Sequence, residues 1–212
     1  MPLWKPVQTW LGQDVFIIGG GDSLRKFDFN ILKDECVIGC NTAFTLGHEI
    51  CDVCIFGDAT WFAKWRHELV NYKGTLFTNA NQLAKSNIPW LWHLSREMKG
   101  LHHNSLGWNK NTGASAINLA LILGAKRIYL LGFDMKISKD NRPNWHNRSE
   151  RAKPEVYPKF LEMYPKVKAD LDKKFPDREV INVNDDSMLD CFPTIGVKKF
   201  FMERKKNEAL VA

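Results

Sequence analysis

The amino-acid sequence predicts an α/β fold in three layers, with helices on both faces of a mostly parallel sheet. Short apolar segments alternate along the chain with segments of helical periodicity. Several of the apolar segments are continuous, which is typical of parallel strands that are buried on both faces. The chain has 212 residues, of which 44% are hydrophobic, so we expect residues 1–212 to form one domain.

The predicted elements come in an order that suits such a sheet. Strands are expected at residues 14–18, 36–39, 52–56, 75–78, 89–93, 126–131 and 179–183. Helices are expected at residues 59–70, 112–124 and 155–175, the last of them kinked or divided by its prolines, Pro158 and Pro165. Ser23 should cap a short helix, and Asn111 or Thr112 a long one. Irregular structure is expected at residues 95–111, 135–154 and 187–201, with a frayed end at 203–207.

The charge balance and the apolar runs narrow the class of protein. Lys and Arg number 30 against 24 Asp and Glu, a net charge of +6, which favours an anionic ligand such as a nucleotide, a phosphate or a nucleic acid. No apolar run approaches the ~20 residues that a membrane span needs, and the first residues lack a signal-peptide pattern. We therefore expect no membrane span and a cytoplasmic protein, and the pattern leaves the oligomeric state open.

The cysteines do not predict a metal or redox site. Four of the five lie within or beside apolar runs, where buried free thiols are expected: Cys36, Cys40, Cys51 and Cys54. Cys51 and Cys54 have C-x-x-C spacing, but no second pair with zinc spacing follows them, and Cys191 stands alone.

Small or polar residues stand where four of the predicted strands end. In an open parallel sheet, ligands bind in the crevice beyond the carboxyl ends of the strands. The sequence therefore predicts a ligand crevice. The residues at these four ends are Gly19-Gly20-Gly21-Asp22-Ser23, Cys40-Asn41-Thr42, Gly57-Asp58 and Gly132-Phe133-Asp134.

The glycine run and Asn41 are the first candidates for nucleotide contacts. Glycines let the backbone approach a phosphate or ribose closely and let N–H groups point at an anion. The run is not a dinucleotide fingerprint, because Leu24 stands where a third glycine is required, and it is not a P-loop. A tight turn without a ligand is the alternative. Asn41 suits a nucleobase or ribose, or else an Asx turn that closes the strand.

Two carboxylates and one helix start complete the predicted crevice. Asp58 and Asp134 could coordinate a divalent metal or accept a hydroxyl proton, with helix capping as the alternative. Thr112 and Gly113 open the buried helix, whose free N–H groups and positive dipole end offer a phosphate seat.

Residues 135–154 are predicted to form a mobile, basic lid over the crevice. Within it, His146 beside Trp145 is a candidate general base, and His102 and His103 are weaker candidates. A surface histidine without a role is the alternative. The charged residues of the lid are Lys136, Lys139, Arg142, Arg148, Arg151 and Lys153 against Asp140, Glu150 and Glu155.

Two sequence blocks resemble a known group of enzymes. Residues 15–24, with Gly19-Gly20-Gly21-Asp22-Ser23-Leu24, resemble the opening of the bacterial sialyltransferases of glycosyltransferase family 42 and of the archaeal 6-hydroxymethylpterin pyrophosphokinase-like proteins. Both groups place Gly-x-Gly-Pro-Ser-Leu after the first strand. Residues 112–134 resemble their second shared block. Trp145-His146 and residues 187–193 look most like small phage-encoded members, which would act in the host cytoplasm.

The resemblance implies a Rossmann-like fold and a nucleotide-activated donor. Asn41 falls where the sialyltransferases carry a nucleotide-binding Asn, and His146 falls roughly at their catalytic base. Asp22 replaces the usual Pro. The tyrosines that bind the donor phosphate in the sialyltransferases have no counterpart at residues 133–137, where Lys136 could act electrostatically instead. These departures favour a nucleotide donor other than CMP-sialic acid.

Three functional hypotheses follow. The first is transfer from a nucleotide-activated donor, foremost a nucleotide sugar, to a hydroxyl acceptor, with His146 as base and the phosphates at Thr112-Gly113, the Gly132–Asp134 turn and the lid. The second is pyrophosphate transfer from a nucleoside triphosphate, ATP, to a small alcohol, which needs a divalent metal at Asp58 and Asp134. The third is a basic, Trp-rich module that binds nucleic acid without catalysis. A nucleic acid could also be the acceptor in the first.

Overall fold

The computed structural model describes residues 7–148 and 154–211, with residues 207–211 described by their backbone alone. Ten strands lie within these ranges: β1 (Asp14–Ile18), β2 (Cys36–Cys40), β3 (Val53–Phe56), β4 (Thr75–Thr78), β5 (Leu91–His93), β6 (Arg96–Glu97), β7 (Leu106–Gly107), β8 (Arg127–Leu131), β9 (Glu179–Val183) and β10 (Thr194–Ile195). Eight of them form one sheet in the order β10-β9-β8-β1-β2-β3-β4-β5, and every neighbouring pair is parallel. The predicted α/β fold class is confirmed.

Helices cover both faces of this sheet because successive strand residues point to opposite sides. The helices are α1 (Ala59–Leu69), α2 (Thr112–Leu123), α3 (Val156–Leu161), α4 (Tyr164–Lys174) and α5 (Val197–Val211). Val15 and Ile17 of β1 pack with the apolar side chains of α2 and α4. Phe16 and Ile18, on the opposite face, pack with Phe200 of α5. On that same face α1 covers β3 and β4.

The order of the strands creates a switch point beside β1. The chain runs outward from β1 to β5 on one side, and then returns through α2 to β8 on the other side of β1. The loops that leave β1 and β8 therefore diverge, which opens a crevice at their carboxyl ends. The strand order does not follow from the sequence pattern, because all the central strands are similar buried apolar runs.

Two predictions about helix boundaries are confirmed, namely the division of the segment 155–175 and the N-cap of α2. The segment 155–175 splits into α3 and α4, and Pro165 lies in the first turn of α4. Proline is tolerated there because a residue in the first turn of a helix needs no N–H for an intrahelical hydrogen bond. Asn111 is the N-cap of α2 and accepts a hydrogen bond from the N–H of Ala114 at 3.0 Å.

Other local predictions were wrong. Ser23 does not cap, because it lies inside a 3-10 turn at Asp22–Leu24 whose N-cap is Gly21. Residues 95–111 contain the short parallel pair β6 and β7. Residues 187–201 contain β10 and the start of α5, which continues through residues 203–207. Packing of the Phe200 ring against Tyr129, at 4.6 Å between centroids, holds α5 on the sheet.

All five cysteines are free thiols. Cys40, Cys51 and Cys54 are buried as predicted, whereas Cys36, which was also expected to be buried, is partly exposed, as is Cys191. Burial raises the pKa of the three buried thiols, so they are protonated at neutral pH. Within the described ranges, no helix has the length and apolar character required to cross a bilayer.

Candidate functional site

A cleft of about 630 Å³ opens at the carboxyl edge of the sheet, beside the switch point. The ends of β1, β2, β3 and β8 meet there with the start of α2, as the strand-end pattern predicts. The structure brings ten of the thirteen predicted site residues into its lining: Gly19, Gly20, Gly21, Asn41, Asp58, Thr112, Gly113, Gly132, Phe133 and Asp134. The other three, Asp22, Ser23 and His146, do not line it.

The glycine run is shaped by packing against the end of β8. The N–H groups of Gly19 and Gly21 donate to the carbonyls of Leu131 and Gly132, each at 2.8 Å. A Cβ at Gly19 would lie 2.7 Å from the carbonyl oxygen of Gly132, and one at Gly21 would lie 2.4 Å from the Asp134 carboxyl group. Glycine is therefore required here by the protein itself. The expectation that these two N–H groups point at an anion was wrong, because both are already paired.

Asp134 ties three parts of the chain together behind the cleft. Its side chain is buried and accepts hydrogen bonds from the N–H of Ser23 at 2.9 Å and from the Ser23 hydroxyl at 2.5 Å. The side-chain amide of Asn184, which follows β9, donates to it at 2.7 Å. Both carboxylate oxygens are thus engaged by protein donors. Across residues 7–148 and 154–206, no cluster of three or more His, Cys, Asp or Glu side chains could hold a metal ion.

Asn41 presents an unengaged amide to the cleft. It follows β2 directly and has a φ of +51°, a left-handed conformation that Asn tolerates better than most residues. Its side chain makes no hydrogen bond within the part of the chain that the structure describes, so the alternative Asx turn is not formed. Its amide can therefore donate to and accept from a ligand.

The start of α2 forms the floor of the cleft. The Asn111 cap binds the N–H of Ala114, while the N–H groups of Thr112 and Gly113 precede the first intrahelical bond of the helix. The Tyr164 hydroxyl donates to the same Asn111 oxygen at 3.1 Å and fixes the cap. A Cβ at Gly113 would lie 2.6 Å from the Phe133 ring, so glycine permits this close packing.

Asp58 caps a helix, which is the alternative role that the sequence allows for it. One oxygen of its exposed side chain accepts from the N–H groups of Thr60 at 2.6 Å and Trp61 at 3.1 Å, which caps α1. The carboxylate nevertheless lines the cleft and remains accessible to a ligand.

Residues 135–148, which we call the strap, lie against the glycine run. The Trp145 indole N–H donates to the carbonyl of Gly19 at 2.9 Å, and the Trp145 backbone N–H donates to the carbonyl of Gly20 at 3.0 Å. Asp22 anchors the strap through Arg142 at 3.1 Å, and Arg25 donates to the carbonyl of Asn144 at 2.9 Å. Partial burial acts to raise the pKa of Asp22, but the hydrogen bonds from Arg25 and Arg142 hold that pKa below its ordinary value.

The cations of the strap form ion pairs within the protein. Lys136 pairs with Asp186, Arg142 with Asp22 and Asp140, and Arg148 with Glu68. Lys136 also lines the cleft, as predicted, whereas the expectation that the positive charge of this segment faces the cleft was wrong for Arg142 and Arg148. The remaining predicted lid residues Glu150, Arg151 and Lys153 lie outside the described ranges.

His146 lies in the strap but outside the cleft lining. Its ring stands edge-on to Trp145, with centroids 4.8 Å apart, and its Nδ1 atom is buried with no hydrogen-bond partner among the residues that the structure describes. Burial, together with the charges of Arg148 and Arg25, lowers the pKa of His146 to about 4, so the imidazole is neutral at pH 7. The weaker candidates His102 and His103 do not line the cleft either.

Sequence reasoning missed several residues of the cleft. Tyr157 and Phe160 reach it from α3, well beyond residues 133–137, where the resemblance places the phosphate-binding tyrosines. The segment 95–111 was predicted as an irregular insertion, but it supplies an arginine, a tryptophan and a lysine. The three residues from this segment are Arg96, Trp108 and Lys110. Trp61 of α1 and Gln82 from the turn after β4 also line the cleft.

The comparison with known proteins gives structural neighbours only. No protein-family model matches the sequence. No curated protein sequence matches it either. Solved structures share the fold at low identity, among them three complexes of sialyltransferases.

The first is the sialyltransferase CstII from Campylobacter jejuni in complex with the substrate analogue cytidine-5'-monophosphate. It is 16% identical to this chain, with a TM-score of 0.56 over 88% of this chain and 86% of that one. The same enzyme with CMP-3FNeuAc is 15% identical, with a TM-score of 0.54 over 87% and 86% of the two chains. The sialyltransferase CST-II with a trisaccharide acceptor and CMP is 16% identical, with a TM-score of 0.53 over 85% of each chain. At this identity, the likeness shows a shared fold.

Proposed function

We propose that the protein is a glycosyltransferase that transfers a sugar from a nucleotide-sugar donor to a hydroxyl acceptor. The observation that carries this proposal is the cleft at the switch point, into which Asn41, the start of α2 and the ends of β1 and β8 converge. The neighbouring structures support it, because they are complexes of sialyltransferases of the same fold with CMP, with CMP-3FNeuAc and, in one case, with a trisaccharide acceptor and CMP.

In this proposal the donor lies along the inner half of the cleft, which is formed by the glycine run, Asn41 and the start of α2. The base and ribose lie between the glycine run and the Asn41 amide, which can donate and accept. The donor phosphate lies at the N–H groups of Thr112 and Gly113, where the helix dipole favours negative charge. Lys110, which has no ion-pair partner among residues 7–148 and 154–206, and the Tyr157 hydroxyl line the same space and add donors for the phosphate.

Transfer needs a base for the acceptor hydroxyl. The acceptor oxygen attacks the sugar carbon that carries the nucleotide, the bond from that carbon to the phosphate oxygen breaks, and the electron pair leaves with the nucleotide. We propose that His146 takes the acceptor proton. Its imidazole is neutral at pH 7, and since burial is what lowers its pKa, a movement of the strap that exposes the ring to the cleft would make it a stronger base. Asp58 is the rival base, because its carboxylate already lines the cleft.

The other two hypotheses receive less support. Pyrophosphate transfer needs a divalent metal between phosphates and carboxylates, while Asp134 is occupied by Ser23 and Asn184 and Asp58 caps α1. None of the structural neighbours reported above is a pyrophosphokinase. A nucleic-acid module would need a face of unpaired cations, whereas three cations of the strap are ion-paired.

A nucleotide-binding panel tests the proposal. The purified protein is titrated calorimetrically with CMP, UMP, GMP, AMP and ATP, with and without magnesium, and nucleotide release from the matching nucleotide sugar is then followed. We expect one nucleoside monophosphate to bind and its sugar conjugate to be consumed. Failure of every nucleotide to bind would refute the proposal, and binding of ATP alone with a strict magnesium requirement would favour pyrophosphate transfer.

A further inference from the structure

The cleft has an outer half that the donor does not account for. It is formed by Gly57, Trp61, Gln82, Arg96 and Trp108, which lie near the ends of β3 and β4 and in the segment after β5. The glycine run lies at the end of β1, two strands away from β3 in the sheet, which corresponds to about 10 Å. A donor seated between β1, β2 and the start of α2 therefore leaves this outer half to a second substrate.

Arg96 is held rigidly in the outer half. Its Nη2 atom donates to the carbonyl of Gly57 at 3.0 Å, and its guanidinium carbon stands 4.6 Å from the centroid of a Trp108 ring. The pairing of β6 with β7 produces this contact, because the N–H of Trp108 donates to the carbonyl of Glu97 at 2.7 Å. The short strands β6 and β7 thus serve to place one cation beside one aromatic face.

Arg96 forms no ion pair with the side chains of residues 7–148 and 154–206. A guanidinium has five N–H donors, and within residues 7–148 and 154–206 only one of Arg96 is paired. Its Nε atom is buried without an acceptor, and no carboxylate of those ranges lies within ion-pair distance. Burial lowers the pKa of Arg96, and the charge of nearby Asp58 offsets only part of this effect. An unpaired, partly desolvated cation is costly unless a ligand supplies the opposite charge.

We propose that Arg96 binds a carboxylate on an acidic sugar acceptor, with Trp108 and Trp61 forming the apolar walls for the sugar ring. A guanidinium edge matches a planar carboxylate, and indole faces pack well against the apolar face of a sugar. This inference rests on the proposed glycosyl transfer and adds the class of acceptor to it. Arg96 is thereby a specificity-determining residue for the acceptor.

Matched sugars test the charge. Methyl β-glucuronide and methyl β-glucoside differ only in the carboxylate, and their binding to the full chain is measured by NMR saturation transfer and calorimetry, with and without saturating CMP. We expect the glucuronide to bind at least about tenfold more tightly than the glucoside, and Arg96→Gln to abolish this difference. Arg96→Lys keeps the positive charge and should retain part of the preference for the glucuronide. Arg66→Gln on the exposed side of α1 removes one positive charge elsewhere and should change nothing.

The outcomes separate this inference from the proposed function. Nucleotide binding is measured on the wild type and on each variant. If the wild type binds no nucleotide, the proposed glycosyl transfer is refuted, whatever the result for Arg96. Equal binding of the two sugars by the wild type, or an unchanged preference in Arg96→Gln, would overturn the acidic acceptor. Displacement of the glucuronide by CMP-3FNeuAc would assign Arg96 to the donor sugar, and displacement by a single-stranded oligonucleotide would assign it to phosphates. Either result would overturn the proposal.

Discussion

Ser23 and Asp134 are 111 residues apart in the chain, yet the serine donates two hydrogen bonds to the aspartate, one from its backbone and one from its hydroxyl. This contact joins the loop after β1 to the loop after β8, which are the two loops that diverge at the switch point. Asn184 adds a third donor from the loop after β9. One buried carboxylate therefore joins the loops that form this wall of the cleft, and we predict that Asp134 serves a ligand by positioning these loops.

Replacing Asp134 tests this positioning role. Asp134→Ala leaves the buried amide of Asn184 and the two donors of the more exposed Ser23 without their acceptor, so we expect the free energy of unfolding to fall by about 2 kcal/mol. Asp134→Asn keeps one acceptor oxygen and should cost less. Urea denaturation measures both. A change below about 0.5 kcal/mol in the alanine variant would show that the contact does not stabilise the fold.

Asn41 can be tested without straining the backbone. Asn41→Gly removes the amide and accepts the left-handed φ of +51° readily, so the fold should be retained. We expect nucleotide affinity to fall by about tenfold or more, because a polar group of the base or ribose loses its partner. Calorimetric titration with the nucleotide found in the panel is the measurement. Unchanged affinity in a folded variant would remove Asn41 from the nucleotide site.

The two proposed bases are distinguished by turnover. His146→Ala should lower turnover by about 10²–10⁴-fold while nucleotide affinity barely changes, since a base acts on the acceptor. His102→Ala provides the histidine control and should leave turnover near that of the wild type. If His146→Ala retains full turnover and Asp58→Asn loses it, the base is Asp58. Because Asp58 caps α1, the stability of its variant must be measured in parallel.

The buried ring of His146 predicts a pH dependence of stability. Its pKa is about 4 in the folded protein and 6.5 ordinarily, so the unfolded chain binds a proton more readily. Its contribution to stability is complete above pH 6.5 and is lost as the pH falls from 6.5 towards 4. Burial also lowers the pKa of His93, which acts in the same direction.

Denaturation at pH 7.5 and pH 5 measures this effect in the wild type and in His146→Gln. The variant should lose less stability than the wild type between the two pH values, and a His146→Gln/His93→Gln double variant should lose less still. Identical pH dependence in all three proteins would mean that the His146 ring is accessible to water in solution.

The fold was largely predictable because its strands are continuous apolar runs and its helix boundaries carry clear signals, such as the Asn111 cap. The cleft was predictable for a related reason, since the carboxyl ends of parallel strands meet at one edge whatever their order. Asn41 and Thr112 thus converge although 71 positions separate them.

The contacts that depend on strand order or on distant packing could not be predicted. The docking of Trp145 on Gly19 needs the strap to return across the switch point, and no local pattern encodes that path. Arg96 stands in a segment with only two-residue strands, and its position beside Trp108 follows from the pairing of β6 with β7. Polar residues in such a segment look the same as those of any surface loop.

The pairing of β1 with β8 in the interior of the sheet also has a consequence for how the chain folds. Asp14 faces Arg127 in this pair, so the neighbour on one side of β1 is synthesised 113 residues after it. During translation, β1 to β5 can pair in sequence, but β1 keeps an open, apolar edge until β8 leaves the ribosome. Such late closure slows folding and exposes an edge that other chains can join. Short-lived association of nascent chains, relieved by chaperones that cover apolar strands, is therefore expected during expression, and a fragment ending before residue 127 should aggregate.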